Sequence, residues 1–194
     1  MPPELQREPR AGDAARISRR ARRLSALALT LLVFAIFAAS AASTPSRAHA
    51  RLSGLEAAVL VKLNAIRARH GLRPLHLNSE LTDAAAQHSV EMGSDGYFEH
   101  NSFDGTPFWK RISRFYSAVG HAYWVVGENL LWSTGPLDPG AAVSQWMGSP
   151  PHRRNILSSR WHEIGLAAAR FESAGGVYDG QSVLILTTDF GVRR

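Results

Sequence analysis

The stretch Trp146-Met147-Gly148-Ser149-Pro150-Pro151-His152-Arg153-Arg154-Asn155-Ile156-Leu157 sets a histidine just behind a helix-start signal. A residue before proline is pushed out of the α region, so Ser149 reads as an extended N-cap, with Pro150 at the first helical position. His152 then falls in the first turn of a short helix. The N-terminus of a helix carries unsatisfied N–H groups and the positive end of the dipole. That setting disfavours imidazolium and keeps the ring free to bind a proton or a metal. A capped turn with a surface histidine would look the same, so the other residues must be placed around it.

Outward from there the pattern is layered. Leu55, Val59, Leu63 and Ile66 recur at helical spacing until Gly71 and Pro74, with Arg67, Arg69 and His70 suited to the dipole of the last turn. A second helix starts near Ser79 and ends at Gly93–Gly96, with Leu81, Ala84, Ala85, His88 and Met92 on one face. His88 there reads as a hydrogen-bonded core histidine. Tyr97–Gly105 is loop, and Thr106-Pro107 opens a short helix to about Phe115. Val125–Trp132 reads as a strand interrupted by Gly127-Glu128-Asn129. Pro139 opens a helix to Met147. Ile164–Phe171 and Ser182–Phe190 form an antiparallel hairpin with a longer loop. Val183-Leu184-Ile185-Leu186 lacks polar alternation, so its strand is central and covered on both faces. Helices early, strands late and helices between imply an α+β domain, with helices on both faces of a small, mainly antiparallel central sheet.

The chain of 194 residues is 45% apolar with a net charge of +6. Eight of its arginines lie in residues 1–50 against Glu4, Glu8 and Asp13, and residues 51–194 are nearly neutral. The basic balance belongs to the leader, so a nucleic-acid partner loses its main support. An Arg cluster over 16–23, an apolar run over 24–42 and Ala48-His49-Ala50 follow the secretory pattern, with cleavage expected after Ala50. The run is also long enough to span a bilayer, so an uncleaved anchor competes, though its decay into Ala and Ser favours cleavage. On either reading residues 51–194 are exported as one domain, expected as a monomer, and touch a membrane only through 24–42. Cysteine is absent, which excludes disulfides, thiolate metal sites and cysteine nucleophiles.

Several familiar catalytic patterns fail. His162-Glu163 begins like a zinc-protease motif, but Leu166 stands where the second histidine must lie. What remains is His100, Glu128, His152 and Glu163, each flanked by strong punctuation. Phe98-Glu99-His100-Asn101-Ser102, Gly127-Glu128-Asn129-Leu130, the Trp146–Leu157 stretch and Glu163-Ile164-Gly165 occur in that order. Together they resemble the CAP superfamily (cysteine-rich secretory, antigen 5 and pathogenesis-related 1 proteins), also called the SCP domain, and within it the bacterial, cysteine-free branch. The resemblance runs from about Val59 to Phe190.

It implies a three-layer α-β-α sandwich with a shallow groove. His100 and His152 would be the metal ligands, for Zn²⁺ or another divalent ion. Glu128 would be the catalytic candidate or would fix a histidine tautomer, with Asn129 beside it. Ser149 stands about where the pattern expects a second glutamate, and Glu163, near His152 in sequence, would supply the substitute carboxylate. Three functions follow as expectations. One is an exported binding module for a small-molecule, lipid or protein ligand; another is a metal-dependent hydrolase of peptides or cell-envelope polymers. The third is a structural domain tethered at the membrane. The aromatic stock around the motifs, Trp132, Trp146 and Trp161 among it, could face an apolar ligand but belongs mostly to the core.

Overall fold

A computed structural model describes residues 53–194. The leader over 1–50, with its cleavage site and apolar run, lies outside the described residues. Among the described residues no helix is long and apolar enough to cross a membrane.

Helix α1 (Gly54–Arg69) carries the expected stripe: Val59 and Leu63 are fully buried, and Leu55 and Ile66 pack at the edge of the same cluster. A two-residue strand β1 (His76–Leu77) follows, and then α2 (Ser79–Asp95). Asn78 caps α2 by accepting the Leu81 N–H at 3.1 Å, and Gly96 ends it at φ 71°, a left-handed backbone that favours glycine. Helix α3 (Phe108–Ile112) is shorter than expected, and Thr106 does not cap it, because the N-cap position falls on Pro107. Strand β2 (Trp124–Thr134) is followed by α4 (Pro139–Gly148), capped by Asp138, and α5 (Pro150–Ile156). Ser149 takes the extended N-cap backbone, yet its hydroxyl makes no cap bond. The helix start there is set by Pro150, whose fixed φ suits the first turn. Strands β3 (Glu163–Phe171) and β4 (Val183–Arg193) close the chain.

The sheet order is β1-β3-β4-β2, antiparallel except for β1 beside β3. Strand β4 is interior, as its unbroken apolar run implies. One expectation is corrected: β2 runs without interruption through Gly127-Glu128-Asn129, each residue paired with β4. Alternation sends Glu128 to one face and Asn129 to the other, and each finds a polar partner there. Two layers cover the sheet. Leu81, Ala84, Ile112 and Tyr116 form a cluster from α2, α3 and the turn after α3 on one face. Val59, Leu63, Trp146, Ile156 and Phe190 join α1, α4 and α5 on the other. Each Val, Leu, Ile or Phe among them, removed from water, contributes about 1.5–3 kcal/mol.

Two buried polar residues lock the layers. Glu56 accepts the Ser53 N–H at 2.8 Å with one oxygen and the Ala168 N–H at 2.8 Å with the other, closing the edge of β3 that β1 leaves open. Arg67, read as a partner for its own helix end, instead reaches the carbonyls of Arg73, Ile156 and Ser158 at 2.8–2.9 Å. It thereby binds the C-terminal end of α5 to α1.

Candidate functional site

Strand β2 delivers Glu128 to the face covered by α2 and α3. Its side chain is 1% exposed, against 51% for His100. Glu128 accepts from His100 Nδ1 at 2.8 Å and from Arg111 Nη2 at 2.5 Å. Because a carboxylate can only accept, the geometry assigns a proton of His100 to Nδ1, and in the neutral ring Nε2 then carries the lone pair. Arg111, fully buried on α3, also touches the His100 carbonyl at 3.3 Å. Burial is the largest influence on Glu128 and pushes its acid up, but the His100 hydrogen bond and the Arg111 charge, joined by His88, outweigh it. The net direction is down, so Glu128 stays ionised.

His88 is the core histidine the sequence implied. Its Nε2 donates to the Glu99 carbonyl at 2.9 Å, and Nδ1 faces Glu91 at 3.3 Å. The same Nε2 lies 4.0 Å from Glu128, so His88 also backs the site.

On the opposite face Asn129 and Asn155 clamp α5 to β2. Asn129 Nδ2 donates to the His152 carbonyl at 3.2 Å, and Asn155 Nδ2 donates to Asn129 Oδ1 and to the Glu128 carbonyl, both at 2.9 Å. Gly127 permits this approach: a Cβ there would meet Trp161 at 2.8 Å. Between these parts lies a cavity of about 490 Å³ lined by His100, Phe108, Val126, Asn155, Arg160 and Trp161, among others.

The expected residues divide accordingly. His100 and Glu128 line the cavity, whereas Asn129 lies on the opposite face of β2 and holds α5 through the His152 carbonyl. His152 is half-buried on α5, beside the cavity but not on its wall. Its pKa is lowered from 6.5, first by burial and then by the neighbouring His100. Glu163 is committed elsewhere, accepting from Asn78 Nδ2 at 2.8 Å and from the Tyr116 hydroxyl. Trp146 and Trp161 are buried, and Trp146 donates to the Leu130 carbonyl at 2.9 Å. Arg111, Asn155 and Asp189 escaped the sequence reading as site residues. Asn155 lies inside the Trp146–Leu157 stretch, whereas nothing local marks the other two.

Among the described residues no three His, Cys, Asp or Glu side chains are placed to hold a metal ion. The His100 Nε2 lone pair and a neutral His152 are the available donors. Two imidazoles fall short of the three protein ligands of a catalytic zinc centre.

Burial also lowers the pKa of His88 from 6.5; Glu128 pulls it back and Arg111 pushes it down. A histidine with a lowered folded pKa takes up protons first in the unfolded chain. The stability it contributes is therefore complete above about 6.5 and is lost as pH falls through the folded value. Urea unfolding is expected to show a lower midpoint at about pH 5 than at about pH 7.5, and His88→Gln should flatten that difference. An equal pH dependence in the variant would remove His88 as its source.

The model of the CAP family, described as the cysteine-rich secretory protein family, matches residues 60–185. The chain belongs to this family. Two Bacillus subtilis (strain 168) proteins are similar to it. The uncharacterized protein YkwD is 30% identical over 141 residues, 72% of this chain and 51% of its own length. The uncharacterized membrane protein YlbC is 30% identical over 116 residues, 59% of this chain and 32% of its own. The chain thus spans about half or less of these relatives. Among solved structures, an extracellular protein containing a SCP domain from Bacillus anthracis str. Ames superposes with a TM-score of 0.52 at 29% identity, over 70% of this chain and 39% of that one. An outer surface protein from Borrelia burgdorferi gives 0.54 at 18% identity, over 72% and 93% respectively, which shows the shared fold.

Proposed function

We propose that this domain is an exported binding module whose groove presents His100 to a small or lipid-like ligand. The observation that carries the reading is the free Nε2 of His100, held at a cavity of about 490 Å³ by the buried Glu128–Arg111 pair. Phe108 and Val126 offer the cavity an apolar side, and Asn155 and Arg160 a polar one. Export is supported by the leader pattern in residues 1–50 and by the extracellular and outer-surface descriptions of the two similar structures.

The hydrolase alternative needs Glu128 as a base. A carboxylate whose pKa is lowered, whose two oxygens are both taken and which is 1% exposed suits the positioning of His100 better than proton abstraction.

The test is a chemical-shift titration of the isotope-labelled protein with a defined panel of N-acetylated sugars, short-chain carboxylates, phosphate esters and a lysophospholipid below its micelle concentration. The reading expects at least one class to shift His100, Asn155 and Arg160 together, with the effect lost in His100→Ala. If no class moves these resonances, or if His100→Ala binds as the parent does, the groove reading fails.

A further inference from the structure

Asp189 lies on β4 directly opposite Glu128 on β2, and Gly165 on β3 faces it from the other side. Directly opposed residues of an antiparallel pair place their Cβ atoms about 4.5–5.5 Å apart on one face, so the two carboxyl groups stand side by side. Asp189 is fully buried, and as a carboxylate neither of its oxygens meets a donor. Nε and Nη1 of Arg111 also lack partners.

The groups facing Asp189 are few. Glu128 comes from β2 and Arg111 from α3. Behind Glu128, on α2, stand His88, 4.0 Å from the Glu128 carboxylate, and Glu91, 3.3 Å from His88. Strand β3 contributes only Gly165, without a side chain. With both carboxyls ionised beside one guanidinium, the dry interior would hold an uncompensated negative charge without a hydrogen bond, which is costly. One proton removes that cost. A protonated Asp189 has a hydroxyl to donate, and the ionised Glu128 beside it is the acceptor. Burial and then the Glu128 charge push the Asp189 acid up, in the same direction, against the opposing charge of Arg111.

We propose that Asp189 is a second acid of this site, holding a proton that it donates in a hydrogen bond to Glu128. Asp189, Glu128 and His100 then form one chain from the sheet interior to the groove. Asp189 acts as a positioning residue: its hydroxyl fixes the Glu128 carboxylate, which fixes the Nδ1–H tautomer of His100. The proton on Asp189 stands independently of any ligand, whereas its consequence for binding rests on the groove reading above.

The experiment uses the full chain. Infrared spectra at neutral pH are expected to contain the carbonyl band of a buried protonated carboxyl, displaced by aspartate-selective ¹³C labelling and absent from Asp189→Asn. No such band, or one indifferent to aspartate labelling, overturns the proposal. Nitrogen shifts of the imidazoles give the second readout. Asp189→Asn, whose amide also donates, is expected to keep His100 in the Nδ1–H form, and Asp189→Leu to lose it. If both variants keep it, Asp189 does not position His100. Failure of groove binding with the infrared band intact would strike the functional reading alone.

Discussion

Gly165→Ala is expected to unfold the domain or to remove most of its stability. An added Cβ would lie 2.0 Å from the Leu81 carbonyl carbon, 2.2 Å from the Thr82 nitrogen and 2.4 Å from the Leu81 oxygen. All three are backbone atoms in the first turn of α2, so no rotamer change can clear them. Relief requires lifting α2 from the sheet, which would separate Leu81 and Ala84 from their cluster with Tyr116. Overpacking a core commonly costs about 1–3 kcal/mol when side chains can adjust, and more where backbone must move. Against a total of about 5–15 kcal/mol that loss is decisive. Gly148→Ala supplies the control: at the end of α4 an added Cβ meets nothing within 4 Å. Removing a helical glycine there should gain about 0.5–1 kcal/mol. Urea midpoints of the two variants should move in opposite directions. A Gly165→Ala midpoint within error of the parent would show that α2 does not sit this tightly on β3.

Gly165 also shows which parts of the fold are legible in the chain. Its place in Glu163-Ile164-Gly165 was visible as a motif, but its reason is a contact with Leu81, 84 positions away in sequence. Periodicity located α1 and α2, and an unbroken apolar run the central strand, because each rests on residues near one another in sequence. It failed at Gly127-Glu128-Asn129, where a glycine and two polar residues imitate a strand break. Their neighbours, Trp161, Arg111 and Asn155, come from the loop before β3, from α3 and from α5. The two residues of β1 are too few for any alternation to register. The site divides in the same way. Punctuation flagged His100, Glu128 and Asn129, but sequence proximity misplaced Glu163, whose carboxylate belongs to Asn78 and Tyr116. Arg111 and Asp189 sit inside segments read only as helix and strand. Only the register of β2 against β4 brings Asp189 to Glu128.

Arg111→Met should cost about 3–5 kcal/mol, the range for removing one partner from a buried ion pair. The arginine is fully buried, and its Nη2 is the sole guanidinium contact of Glu128 among the described residues. Methionine fills a similar volume without the charge, so the loss measures the stranded carboxylate more than a cavity. Glu128 would answer by taking up a proton, since the Arg111 charge is one of the influences that hold its pKa down. A protonated Glu128 no longer needs the Nδ1–H of His100, so that imidazole should lose its fixed tautomer. Combining Arg111→Met with Glu128→Gln removes the stranded charge and should recover much of the stability lost by the single variant. The coupling energy from the four urea curves then separates pairing from packing. Additive costs would mean that Arg111 supports the domain through its aliphatic stem. A double-variant cost well below the sum of the two single costs, together with tautomer loss in the single variant, would establish the buried pair as the support on which His100 is presented.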